Sequence, residues 1–255
     1  MKRSMAFVEA RRQKILETLA ANPECKVQEL ADAQNVSALT IRRDLDVLAQ
    51  RGFLQRFYGG ATLAAPPSQE NQQRERCKRA IAARAAACIH EGDTIFINSS
   101  STALLALEYV KERHITAITN NGKAIHLSLD PRIKLVLSGG HIQFPKEALT
   151  GEFALRNLEK MTAQKAIMGF SGVSLQGGMT TPNIDEVAIN EMMLRRTTEK
   201  IVVLVESRKL GRDSTFVSGE LAQISHLITD SDADPAFVEA LDKRGIQVTL
   251  VEVAD

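Results

Sequence analysis

From residue 94 to residue 251 the chain repeats one pattern: a short apolar run, a polar or glycine-bearing turn, then a helical segment. The runs fall at 94–98, 115–119, 133–138, 165–170, 201–206, 226–229 and 248–251. Several are continuously apolar rather than alternating, as strands covered on both faces are. Between them the spacing predicts helices over 102–113, 122–129, 152–161, 184–198 and 235–244. Strands and helices in alternation predict an α/β fold with a mostly parallel sheet. Ligands of such folds sit at the carboxyl ends of the strands.

Those ends are polar. The first run leads into Asn98-Ser99-Ser100-Ser101-Thr102 at a helix start, where hydroxyls and free N–H groups suit an anion. The second ends in Asn120-Asn121-Gly122, the third in Ser138-Gly139-Gly140, the fourth in Gly169-Phe170-Ser171-Gly172. A later run leads to Glu206-Ser207-Arg208-Lys209-Leu210-Gly211-Arg212. Any one of these alone is a turn or a helix cap. Converging on one sheet edge, they predict a site for a phosphorylated small ligand. Its candidate residues are Asn98, Ser99, Ser100, Ser101, Thr102, Asn120, Asn121, Gly139, Gly140 and Lys209, with Lys209 and Arg208 or Arg212 expected to grip the anion. No Walker A motif is present and Gly169-x-x-Gly172 lacks the GxGxxG order, so a nucleotide is not expected.

Three cysteines, Cys25, Cys77 and Cys88, form no CxxC. A disulfide framework and a paired-cysteine zinc site are not expected, and a reducing, cytoplasmic setting is. Cys77 is expected to be a surface thiol and Cys88 a packed small residue, without a histidine partner. No metal, no cofactor and no catalytic residue is expected. No apolar run approaches the ~20 residues that span a membrane. The first ten residues have charge but no apolar core, so neither a leader nor a membrane partner is expected.

The first sixty residues differ in character. They hold ten Lys and Arg against seven Asp and Glu, a net +3, while the remaining 22 and 24 leave −2 within the total of +1. Phe7, Ile15, Leu16 and Leu19 lie at helical spacing, in a helix ending near Asn22-Pro23. Val27, Leu30 and Ala31 mark a short second helix, and Ser37 caps a third in which Ile41, Leu45 and Leu48 face inward. That helix ends at Arg51-Gly52, a glycine C-cap. A strand over 53–57, a turn at Tyr58-Gly59-Gly60 and a return strand over 61–63 follow. Two short helices, a tight turn and a third helix with a polar start suit a helix-turn-helix whose third helix enters the major groove. Arg42 and Arg43 would grip guanine or phosphate, Thr40 a thymine methyl or phosphate, and basic residues of the first helix and hairpin, Arg56 among them, the backbone. The alternative pairs Arg42 and Arg43 with Asp46 and Asp44 on a solvated helix face. Domains are therefore expected at 1–63 and 75–255, joined by a small, proline-bearing linker over 64–74.

The stretches Arg11-Arg12-Gln13-Lys14-Ile15-Leu16, Val27-Gln28-Glu29-Leu30-Ala31, Val36 to Leu45 and Tyr58-Gly59-Gly60-Ala61 together resemble the DNA-binding domain of the DeoR family of bacterial transcriptional regulators. That resemblance implies a winged module with Ser37, Thr40, Arg42 and Arg43 facing the operator and the Tyr58-Gly59-Gly60 turn near phosphates. The second half resembles the family's sensor domain, related to ribose-5-phosphate isomerase and CoA-transferase-like folds. The matching stretches include 92–98, Thr119-Asn120-Asn121, 137–140, Leu149-Thr150-Gly151, Gly177-Gly178-Met179-Thr180-Thr181 and Leu227-Ile228-Thr229-Asp230. The chain departs from the family at Asn98 and Gln164, where carboxylates are usual, and at Glu206-Ser207-Arg208-Lys209, where Asp-x-Ser-Lys is usual. Amides at these places imply an altered ligand preference and little isomerase capability. The resemblance implies a non-enzymatic repressor of a carbohydrate operon, bound to double-stranded operator DNA as a homodimer or tetramer and released by a phosphorylated sugar. An activator would share every residue named. An isomerase with an accessory DNA head would need Glu206, Asp185 or Glu186 as its base.

Overall fold

The computed structural model describes residues 5–50, 52–63 and 68–253. The chain divides into two compact units, Met1–Gln72 and Gln73–Asp255.

In the first unit, α1 (Met5–Ala21), β1 (Glu24–Lys26), α2 (Val27–Ala33), α3 (Ala38–Gln50), β2 (Leu54–Phe57) and β3 (Gly60–Leu63) follow in order. Ile15, Leu19, Leu30, Ile41 and Leu45 are fully buried in a core of their own. The i, i+4, i+7 spacing of Ile41, Leu45 and Leu48 thus turns one face of α3 inward. The side chain of Phe7, and Arg51, lie outside the described residues. Sequence reading missed β1. It pairs antiparallel with β3, giving a sheet in the order β1-β3-β2. Three residues are too few for a period-2 signal to be seen.

In the second unit, α4 (Gln69–Ala86) enters from the boundary and is followed by β4 (Thr94–Ile97), α5 (Ser101–Leu105), β5 (Ile115–Thr119) and β6 (Ile133–Leu137). Then come β7 (His141–Gln143), β8 (Ala148–Thr150), α6 (Glu152–Glu159), β9 (Ala163–Gly169), β10 (Gly172–Ser174), β11 (Gly178–Thr181) and α7 (Ile184–Arg195). β12 (Thr197–Leu204), β13 (Phe216–Gly219), β14 (His226–Asp230), α8 (Pro235–Asp242) and β15 (Gln247–Val251) complete it. All seven expected runs enter one parallel sheet, in the order β15-β14-β12-β9-β4-β5-β6. Alternate residues face opposite cores. Ile95 and Ile97 join α4 and α5 on one side; Phe96 joins α6, α7 and α8 on the other.

Several elements differ from expectation. Residues 69–74 of the expected linker are helical: the Ser68 hydroxyl accepts the Asn71 N–H at 3.2 Å and so caps α4. A Gln- and Glu-rich helix start has the composition of a polar linker, so the two look alike in sequence. The rest of that linker, 64–67, lies outside the described residues. The helix expected over 102–113 is α5 and a 3-10 turn, Ala106–Tyr109. The chain then leaves helical space, with Glu112 at a φ of 57°. The helix expected over 122–129 is a 3-10 segment, Gly122–His126. The antiparallel β7–β8 hairpin and the β10-β11-β13 sheet were not foreseen.

Candidate functional site

The sheet order fixes where a ligand can enter. From β4 the chain winds outward to β5 and β6; from β9 it winds the other way through β12, β14 and β15. The β4/β9 boundary is the switch point of the sheet, where connections diverge and leave a crevice beyond the carboxyl ends. A cleft of about 280 Å³ opens there. Ser99, Ser100, Ser101 and Thr102 line one wall, Gly169, Phe170 and Ser171 the other. Three lysines reach it, Lys123, Lys146 and Lys209.

Asn98 lies beneath this cleft, not in it. It is 2% exposed. Its Oδ1 accepts the Gly169 N–H at 3.0 Å, and its Nδ2 donates to the Gly169 carbonyl at 2.9 Å and to Asn190 Oδ1 at 3.1 Å. A carboxylate could not donate to that carbonyl. The amide thus staples the end of β4 to the end of β9. Gln164 also holds backbone in place, since its Oε1 accepts the Thr94 N–H at 2.8 Å.

Of the other expected ligand residues, Ser99, Ser100, Ser101, Thr102, Asn121 and Lys209 do line the cleft. Asn120, Gly139 and Gly140 do not. Asn120 is buried and donates to the Leu149 carbonyl at 3.2 Å. Gly139 and Gly140 form the turn into β7; a Cβ on Gly140 would collide with the Thr150 carbonyl. They serve chain packing.

Glu186, a candidate base, lines the cleft and is 4% exposed. Thr181 Oγ1 donates to it at 2.7 Å and Ser99 Oγ at 3.1 Å, and Lys146 Nζ lies 2.9 Å away. The Lys146 contact ties the β7–β8 hairpin to α7. So does Asn183, whose Nδ2 donates to Gln143 at 3.0 Å. Glu206 is buried outside the cleft lining. Burial would lift its pKa, but hydrogen bonds from Arg208 and from Lys209, 2.8 Å away, hold it below the usual value. Lys123 makes no ion pair among the described residues, so its charge is free for an anion. The sequence signal that could have found Lys123 was its position directly after Asn120-Asn121-Gly122. Lys146 sits in a hairpin with no such signal.

In the first unit, Asp44 is buried. It accepts Arg11 Nε at 2.6 Å and Arg12 Nε at 3.1 Å. Asp46 is bonded by Arg56. Both acids that might have neutralised Arg42 and Arg43 are therefore occupied. The two arginines are exposed and make no ion pair among the described residues. Ser37 Oγ accepts the Thr40 N–H at 3.2 Å and shares a 2.9 Å contact with the Thr40 hydroxyl, the expected cap. Arg42, Arg56, Tyr58 and Gly59 border one shallow depression between α3 and the β2–β3 turn, with Tyr58 fully exposed. Gly60 corrects an expectation. It is buried, and a Cβ there would strike the Cys25 carbonyl and the Phe57 ring. Arg11, expected among the phosphate-facing residues, is instead 8% exposed and clamped to Asp44.

The cysteine expectations reverse. Cys77 is buried, with its thiol donating to Asp230 Oδ1 at 2.9 Å. Cys88 is half-buried and lies 3.7 Å from His226 Nδ1, a histidine partner that 138 residues of separation hid. No helix among the described residues is long and apolar enough to cross a membrane.

A winged helix-turn-helix with two free arginines, in one chain with a parallel α/β domain whose cleft gathers lysines and hydroxyls, defines a ligand-responsive DNA-binding regulator. Comparison with known proteins agrees. A DeoR-like helix-turn-helix domain matches residues 11–66, and a DeoR C terminal sensor domain matches residues 73–231. The HTH-type transcriptional regulator YulB of Bacillus subtilis is 32% identical over 97% of this chain and 98% of its own length. The lactose phosphotransferase system repressor of Staphylococcus aureus is 29% identical over 90% of this chain and 92% of its own. A ribose 5-phosphate isomerase A structure from Methanocaldococcus jannaschii is 18% identical with a TM-score of 0.39, over 54% of this chain and 55% of that one. The chain belongs to the DeoR family of transcriptional regulators.

Proposed function

We propose that this chain is a repressor of a carbohydrate operon, released from its operator by a phosphorylated sugar bound in the cleft. The reading rests chiefly on one observation: Arg42 and Arg43 are exposed on α3 while Asp44 and Asp46 are occupied by Arg11, Arg12 and Arg56. An unpaired Arg pair in the first turns after a helix cap is placed to grip base edges or phosphate. Thr40, Ser37 and the exposed Tyr58-Gly59 turn flank it. Arg56 works mainly through Asp46. Such a head needs a two-fold partner to read a two-fold site, so the working form is a homo-oligomer acting in the cytoplasm.

In the cleft, Lys123, Lys146 and Lys209 take the phosphate, while Ser99, Ser100, Ser101 and Thr102 take hydroxyls and remaining oxygens. Binding draws Lys146 from Glu186 and so shifts the β7–β8 hairpin; the ligand stabilises one arrangement of the domain over another. The cleft acts without catalysis. Glu186, the one candidate base in its lining, still accepts the Thr181 hydroxyl when Lys146 leaves and serves to fix α7 to the cleft wall.

The head is tested by gel shift on a duplex selected from a random pool by the wild-type chain. Arg42→Ala and Arg43→Ala should each weaken binding by about 1–3 kcal/mol, roughly 5- to 150-fold. Unchanged affinity in both removes the assignment of α3. The cleft is tested by thermal shift with a panel of sugar phosphates. A member that stabilises the wild type should lose its effect with Lys123→Ala or Lys209→Ala; a shift that survives both places the ligand elsewhere.

A further inference from the structure

A second basic pocket lies at the opposite edge of the same sheet. It has a volume of about 230 Å³. Its lining comes from the amino ends of the strands, with Lys165 near the start of β9, Lys200 on β12, His226 opening β14 and Gln247 opening β15. Arg84 reaches it from the last turn of α4, and His90 and Cys88 from the segment that follows. No carboxylate lines it. Lys165 is neutralised from behind by Asp93 at 2.6 Å, and also donates to His90 Nδ1 at 2.8 Å. Arg84 and Lys200 are exposed and make no ion pair among the described residues. Both lie close enough to His226 to add to the effect of its burial in lowering its pKa. The pocket thus carries an excess of two positive charges, with thiol and amide donors beside them.

Two exposed, unpaired cations around one concavity with no carboxylate in its lining raise the local positive potential and so favour an anion between them. We propose that this pocket binds a small phosphate-type polyanion, held by Arg84 and Lys200 and bordered by His226 and Cys88. Arg84 supplies a planar fork for two phosphate oxygens and Lys200 a point charge from the sheet side. The site is separate from the cleft, which lies beyond the other ends of the strands. An anion here joins the last turn of α4 to the central strands of the sheet.

The test uses the full chain with labelled histidines, followed by NMR while pyrophosphate is added at pH 7.5 and constant ionic strength. The chain has five histidines, so the imidazole signals are few enough to assign by substitution. The signals of His226 and His90 should move and saturate, while that of His114 stays in place. Arg84→Ala with Lys200→Ala should raise the half-saturating concentration at least tenfold. Arg84→Lys, which keeps the charge and loses the fork, should raise it less than the double variant does. Lys123→Ala with Lys209→Ala in the cleft should leave the His226 response intact, which separates this site from the cleft. Both cations are exposed, so their removal costs the core nothing, and an unchanged His114 signal checks the fold. A wild-type titration without saturation, or an undiminished His226 response in the Arg84/Lys200 double variant, overturns the site.

Discussion

At the scale of single residues, the arrangement around Asp44 decides what α3 can do. A buried carboxylate between two guanidinium groups holds α1 against α3 and, with Arg56 on Asp46, leaves Arg42 and Arg43 without an acid among the described residues. Asp44→Ala removes the buried acceptor that Arg11 and Arg12 share, at a cost of about 3–5 kcal/mol. Urea denaturation followed by circular dichroism measures it; a loss below 1 kcal/mol shows that Asp44 is not what holds α1 against α3. His226 gives a pH dependence. Burial foremost, then Arg84 and Lys200, lowers its pKa. The unfolded chain therefore takes up this proton more readily than the folded one. Stability falls as pH drops through the ordinary imidazole range near 6.5, and is recovered above it. His226→Gln should lose less stability than wild type between pH 7.5 and 5.5, and parallel losses refute the assignment. The thiols should also divide. Burial first, then the hydrogen bond to Asp230, pushes the Cys77 thiol far up. Iodoacetamide should alkylate Cys88 in the folded chain and reach Cys77 after unfolding, which peptide mass mapping reads directly.

At the scale of elements, the β2–β3 wing depends on a missing side chain. Gly60 sits where β3 passes under Phe57 and beside β1. Gly60→Ala forces one of those contacts apart. It should lower DNA affinity more than tenfold while the sensor unit keeps its melting temperature, measured by gel shift and calorimetry; an unaffected affinity shows that the wing does not hold the turn in place. Elements with strong periodicity or continuous apolar runs were legible in the sequence: all seven parallel strands, the buried stripe of α3, and the hydroxyl-rich loop after β4. What stayed hidden has physical reasons. β1, β7 and β10 have three residues each, too short for a pattern. The strand order, and so the crevice between β4 and β9, is a tertiary property that no local signal carries. Asn98 looked like a ligand residue because it stands in a polar loop. Its donor and acceptor are instead spent on Gly169, which only the pairing of β4 with β9 reveals. Lys146 and Glu186, 40 residues apart, meet for the same reason.

At the scale of the whole molecule, the chain consists of two units with separate cores, and the division should be visible in unfolding. The first unit rests on one small cluster around Ile15, Leu30, Ile41 and Leu45. Units of this size bury a smaller share of their surface and are correspondingly marginal. The second has two clusters, one on each face of a seven-stranded sheet. α4 crosses the boundary, but its buried residues Cys77, Ile81, Ala82, Ala85 and Ala86 all belong to the second unit's core. It should therefore melt with the sensor. Leu45 is fully buried, so Leu45→Ala removes contacts worth about 2–5 kcal/mol from the first unit alone. Scanning calorimetry of the full chain should show two transitions, with this substitution lowering the first and leaving the second in place. DNA binding should vanish while any sugar-phosphate stabilisation of the second transition persists. If instead both transitions move together, the two units fold as one, and a ligand in the cleft acts on a single cooperative body rather than on a sensor that carries an independent head.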